Sequence, residues 1–95
     1  MTAAVLPANY PNPFNPSTTI RFQVGGQRIQ NVQLAVFDLT GRLVKSVLDH
    51  ALTPGNYSVM WHGDDNNGRK VGSGAYLIRM MAGSVVKSRK MIVMK

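Results

Sequence analysis

The stretch Asn56-Tyr57-Ser58-Val59-Met60-Trp61-His62 alternates Tyr57, Val59 and Trp61 with Ser58, Met60 and His62. A period of two marks a strand with one buried face. Trp61 is the only tryptophan in the chain. Two stacked sheets lie ~10 Å apart, and large inward side chains fill that gap. Trp61, Tyr57, Tyr76 and Phe22 are the expected filling. Turn chemistry bounds the stretch on both sides. Thr53-Pro54-Gly55-Asn56 is a proline–glycine turn, and Gly63-Asp64-Asp65-Asn66-Asn67-Gly68 is a polar loop.

The same alternation recurs outward from there. Thr19–Val24 sets Ile20, Phe22 and Val24 against Arg21 and Gln23, and Val32–Val36 sets Val32, Leu34 and Val36 against Gln33 and Ala35. Arg42–Leu48, Ala75–Met81 and Val85–Met94 are further strand-like runs, although Leu43-Val44 leaves the inward face of the first ambiguous. Asp38-Leu39-Thr40-Gly41-Arg42 places an Asx residue before a glycine and reads as a tight hairpin. Gly25-Gly26, Gly72-Ser73-Gly74 and Ala82-Gly83-Ser84 punctuate the rest, and no window repeats apolar residues at helical spacing. Six or seven short strands with turns every 8–12 residues predict an all-β, antiparallel immunoglobulin-like sandwich. A small barrel is the alternative.

At 95 residues and 44% hydrophobic, the chain is one domain with a modest core. No apolar stretch approaches the ~18 residues that cross a bilayer. Met1–Pro16 has neither the cationic start nor the apolar block of an export leader. The absence of cysteine removes disulfides, thiolate metal sites and a cysteine nucleophile. The net charge of +7 is unevenly placed. Asp38, Asp49, Asp64 and Asp65 balance Arg21, Arg28, Arg42 and Lys45 over residues 1–65. Residues 66–95 then carry Arg69, Lys70, Arg79, Lys87, Arg89, Lys90 and Lys95 with no acid. This asymmetry fits an anionic partner. It also fits a solvated surface that keeps strand edges from sticking.

Leu6–Ser17 differs from the rest, with prolines at 7, 11, 13 and 16. Proline fixes its own φ and pushes the preceding residue toward extended geometry. The segment therefore reads as an ordered strap, with asparagines bonding nearby backbone and with Tyr10 and Phe14 as apolar anchors. Residues 1–5 read as a linker remnant or an added start, and residues 6–95 as the domain.

No constellation for catalysis assembles from these residues. There is no glutamate. His50 and His62 have no partners at metal-ligand spacing. Ser73 lacks the nucleophile-elbow pattern, and Asp64 and Asp65 point apart on an extended chain. Asp64-x-Asn66-x-Gly68 lacks the closing bidentate glutamate of a calcium loop. The expectation is a non-enzyme with no catalytic, cofactor or metal site. Residues 77–95 have no aromatic to stack on a base, which argues against nucleic-acid reading. A saccharide module would need a row of exposed aromatics, and the aromatics are assigned to the core.

Tyr10-Pro11-Asn12-Pro13-Phe14-Asn15-Pro16-Ser17-Thr18-Thr19-Ile20 closely resembles the opening signature of the type IX secretion C-terminal sorting domains, which are related to the immunoglobulin-like domain of the flagellar hook-capping scaffold protein. Later blocks are similar to that family in the same order. They are the hairpin around Asp38, Gly41 and Arg42, the turn and strand carrying Gly55 and Trp61, the stretch carrying Gly74 and Tyr76, and the closing run Arg89–Lys95. The resemblance spans residues 6–95.

It implies a non-catalytic address label on a secreted protein of the Bacteroidetes and related bacteria. Implied partners are the type IX translocon, a sortase-like peptidase, an N-terminal cargo domain and anionic lipopolysaccharide. The implied location is secreted or at the cell surface, reached through the periplasm. Lys87, Arg89, Lys90, Met91, Val93 and Lys95 are the candidate recognition residues. On the expected last strand, Met91 and Val93 face inward and Lys90 and Lys95 outward, and an edge position would offer unpaired backbone to a partner. A structural or assembly module of a flagellar or cell-surface protein is the alternative. The chain is expected as a monomer or as a strand-swapped dimer.

Overall fold

A computed structural model describes residues 4–13 and 17–94. Seven strands run in chain order: β1 (Ala4–Val5), β2 (Thr18–Val24), β3 (Gln30–Asp38), β4 (Leu43–Leu52), β5 (Gly55–Trp61), β6 (Gly74–Ala82) and β7 (Val85–Val93). They form a three-stranded sheet, β1-β2-β5, and a four-stranded sheet, β4-β3-β6-β7, and every pairing is antiparallel. The expected sandwich is present, and its strands fall where period two placed them. Ile20, Phe22 and Val24 of β2 are buried, and so are Val32, Leu34 and Val36 of β3 and Ile78, Met80 and Ala82 of β6.

Trp61 is 1% exposed at the end of β5. Its indole N–H donates to the Asp64 carbonyl at 2.9 Å, which satisfies the polar end of a ring buried for its area. Tyr76 meets Trp61 edge-on at 5.9 Å, and Phe22 stacks on Tyr57 at 5.4 Å. Tyr57 and Tyr76 are only half-buried. Each lays its ring on the core and donates its hydroxyl to a backbone carbonyl, Thr53 and Gly72 respectively.

β4 shows why Leu43-Val44 was ambiguous. Its register against β3 shifts twice, between Leu34 and Ala35 and between Val36 and Phe37. Each shift leaves one extra β4 residue, Val47 and then Val44, so the alternation changes sign twice in one strand. The partly buried Val44, Val47, Leu48 and Leu52 consequently follow no single period.

Two turns share one design. In Asp38-Leu39-Thr40-Gly41-Arg42, the Asp38 carboxylate accepts from the backbone N–H groups of Thr40 and Arg42, and Asp38 N–H donates to the Arg42 carbonyl. In Asp65-Asn66-Asn67-Gly68-Arg69, the Asp65 carboxylate accepts from Asn67 and Arg69 N–H, and Asp65 N–H donates to the Arg69 carbonyl. Gly41 at φ +92° and Gly68 at φ +82° take the left-handed conformation that closes each turn. The first joins β3 to β4. The second lies beside β4, where Asn66 N–H donates to the Val44 carbonyl and the Asn66 side chain accepts from Ser46 N–H. Lys45 meets Asp64 at 3.0 Å in the same place.

The strap runs antiparallel to β2. Ala4 and Val5 pair with Val24 and Gln23, and Tyr10 bridges Thr19. Ala4 is buried, so the folded body reaches into the segment read as a remnant. Asparagine bonding is as expected: the buried Asn9 amide donates to the Pro11 carbonyl and to Thr18 Oγ1. Of the two expected anchors, Tyr10 is not one. Tyr10 is 71% exposed, and Leu6, 4% exposed, is the apolar anchor instead. The Tyr10 backbone bonds Thr19 in both directions, so its ring is held on the outside. The peptide bonds before Pro11 and Pro13 are cis. Phe14, Asn15 and Pro16 lie outside the described residues.

Candidate recognition strand

Among the described residues, β7 is an edge strand, paired with β6 alone. Gly83 at φ +59° starts the two-residue turn between them, where a left-handed first residue matches the twist of the flanking strands. Met91 and Val93 are buried inward, 0% and 5% exposed, and Lys90 points outward. Lys87 and Arg89 share the inward parity of Met91 yet are exposed. Arg89 reaches across to the strap, where its Nε donates to the Leu6 carbonyl at 2.8 Å. The candidate residues therefore split into core anchors, Met91 and Val93, and accessible cations, Lys87, Arg89 and Lys90. Lys95 lies outside the described residues.

One hydrogen bond settles the orientation of the backbone. Ile92 N–H donates to the Asn12 side chain at 2.9 Å, away from β6. In an antiparallel pair, residues whose backbone groups face the partner alternate with residues whose groups face away. The N–H and C=O groups of Val86, Ser88 and Lys90 therefore face away with those of Ile92. Arg89, Lys87 and Val85 face β6 opposite Ile78, Met80 and Ala82. Among the described residues, no strand pairs with this outer edge; the strap lies near β7 and bonds it at Arg89, through Leu6, and at Ile92, through Asn12. Val86 and Ser88 were not among the candidates, although period two already placed them with Lys90.

The signature residues build the body rather than the edge. Asp38, Gly41 and Arg42 form the hairpin turn, Gly55 opens β5 and Gly74 opens β6. Asn12 ties the strap to β7, and Pro11 supplies the carbonyl that Asn9 and Thr18 share. A polar cleft between the two Asp-Gly-Arg turns is lined by Asp38, Arg42, Asp65, Asn67 and Tyr76 among others. Hydrogen bonds from the Thr40 hydroxyl and the Arg42 backbone hold the Asp38 carboxyl below its ordinary range. Burial, and then the charge of Asp38, push the Tyr76 phenol up. Three of the four carboxylates are engaged structurally, Asp38 and Asp65 by turns and Asp64 by Lys45. Among the described residues, no three His, Cys, Asp or Glu side chains converge as a metal site would require.

Comparison with known proteins bears on the fold. The chain matches dimeric latent PorU from Porphyromonas gingivalis with a TM-score of 0.79 at 29% identity, covering 98% of this chain and 9% of that one. It also matches PorZ, described as an essential bacterial surface component of the type IX secretion system of the same organism. There the TM-score is 0.61 at 22% identity, covering 99% of this chain and 11% of that one. The chain thus spans about a tenth of either protein, and the second likeness is one of fold. No curated protein matches it. The model of the FlgD Ig-like domain matches residues 12–85, from the strap through the start of β7. The chain belongs to the FlgD Ig-like domain family.

Proposed function

We propose that this domain is a non-catalytic C-terminal sorting domain. It directs an attached cargo protein through the type IX outer-membrane translocon, for release or attachment at the cell surface. The observation that carries the reading is β7: an edge strand held in the core by Met91 and Val93, with Lys87, Arg89 and Lys90 exposed and one run of backbone groups unpaired. Such an edge can accept a strand from a partner. Main-chain bonds then supply affinity, and the flanking cations favour an acidic one. The likeness to PorU over nearly the whole domain, and the description of PorZ, support placing it in that system. On this reading the remaining partners are the cargo domain ahead of it, a sortase-like peptidase and anionic lipopolysaccharide.

The test is a reporter with an export leader fused ahead of residues 4–95 in a type IX-competent bacterium. The reporter reaches the cell surface, and charge reversal at Lys87 and Lys90 together leaves it in the periplasm. A reporter that stays periplasmic with the intact domain refutes the proposal.

The family match favours a second reading, an assembly module of a flagellar or cell-surface structure. That reading predicts surface export independent of Lys87 and Lys90, and a scaffold contact that light scattering detects across a concentration series.

A further inference from the structure

The outer faces of the two sheets differ in kind. A one-sided antiparallel sheet normally turns polar residues to solvent. The three-stranded sheet does so along its middle: Thr19, Arg21 and Gln23 of β2 and Asn56 and Ser58 of β5 face outward, opposite the buried run Ile20, Phe22, Val24, and the apolar Val5 and Met60 are confined to its two edge strands. The four-stranded sheet does not. Register places Leu43, Phe37 and Leu77 side by side across β4, β3 and β6, on the face opposite Val36 and Ile78. Met81 and Val86 continue the apolar surface toward the other end. None of these positions is needed by the core, which lies on the opposite face.

Charge on this face is also one-sided. The Arg79 guanidinium lies 4.4 Å over the Phe37 ring, near the middle of the sheet. Lys90 ends the Leu43–Phe37–Leu77 row on β7. The acid of the face, Asp49, sits on the opposite edge strand, across from Gln33. A central arginine stacked on an aromatic ring, among aliphatic side chains, is the composition of protein-docking surfaces. Phe37, Leu77 and Met81 are half-buried among their neighbours, and Leu43 and Val86 are exposed on the two edge strands. Four strands ~4.8 Å apart and nine residues long present roughly 500–600 Å², somewhat below the ~800 Å² per partner of a standard interface. That size suits a transient contact.

We infer that the outer face of the four-stranded sheet docks an acidic protein surface, with aliphatic side chains against Leu43, Phe37 and Leu77 and carboxylates against Arg79 and Lys90. This contact uses side chains of the sheet face rather than the backbone of the β7 edge, shares only Lys90 with it, and does not depend on the sorting role. A second copy of the chain is disfavoured as the occupant, because both copies carry +7.

The probe is a helical peptide with a leucine stripe flanked by glutamates, titrated into the 95-residue chain while amide chemical shifts are followed. Shifts gather at Ala35, Phe37, Leu77 and Lys90 and leave Arg21 and Ser58 unmoved. Affinity falls about tenfold in Arg79→Glu. It also falls in Lys90→Glu, an exposed change that keeps the Arg79–Phe37 contact. The same peptide flanked by lysines does not bind. Equal binding of both peptides, or shifts centred on β2 and β5, overturns the inference. So does tighter binding to phosphatidylglycerol vesicles than to the glutamate peptide, or dimerisation through this face in sedimentation.

Discussion

The two edges of the four-stranded sheet meet solvent on different terms. At β4, Asn66 bonds both Val44 and Ser46, and Lys45 pairs with Asp64, so a loop from the other side of the sandwich closes the first half of the edge. At β7, one side chain among the described residues, Asn12, caps Ile92, and Val86, Ser88 and Lys90 offer their backbone outward. Unpaired edges invite aggregation, and proteins blunt them with cover or with charge. Here one edge has cover and the other has charge. Cover removes an edge from use, whereas charge leaves it available to a partner of opposite sign.

The largest effect comes from removing what holds the open edge in place. Met91→Ala empties a fully buried position and is expected to cost about 2–5 kcal/mol in urea unfolding. A loss under half a kcal/mol would mean that β7 is not anchored as described. Next is the cover on β4. Asn66→Ala removes the acceptor of Ser46 N–H and is expected to cost about 1 kcal/mol. Amide exchange should then quicken at Ser46 and stay unchanged along β7.

Asn12→Ala removes the one cap seen on β7 among the described residues and is expected to cost no more than about 1 kcal/mol, because this exposed bond, like that of Asn66, is replaced by one to water. In the unaltered chain, exchange along β7 should alternate, with Val86, Ser88 and Lys90 fast and Lys87, Arg89 and Met91 slow. Uniform protection would show that the edge is already occupied.

The smallest effect is on pH. Asp38 has its carboxyl pKa lowered by folding, so the unfolded chain takes up its proton first as pH falls. The stabilisation is present above the ordinary carboxylate range and is lost as pH drops through the folded value. Asp38→Asn should flatten that part of the acid-unfolding curve and leave the neutral region nearly parallel.

Much of this contrast was written in local sequence. The hairpin at Asp38–Arg42 was readable because an Asx side chain and a glycine act within five residues. The inward Met91 and Val93 followed from period two. The second turn, Asp65–Arg69, carries the same Asp-x-x-Gly-Arg spelling, but the polar run around it reads only as a loop. Other features were not local. Asn12 and Ile92 are 80 residues apart, and no pattern near either announces the other. The doubled bulge of β4 defeats a reading by alternation, since each extra residue reverses the face. Ring size makes Tyr10 look like an anchor, whereas its backbone bonds to Thr19 decide where the ring points.

Replacing Ser88 with proline tests the open edge most directly. The Ser88 N–H faces away from β6, so the change deletes an outward donor and no bond within the sheet, and proline is tolerated on edge strands. In the reporter fusion, Ser88→Pro should fold with its melting temperature nearly unchanged and yet strand the cargo in the periplasm. Delivery to the surface at the unaltered rate by a folded Ser88→Pro domain would contradict recognition through the β7 edge.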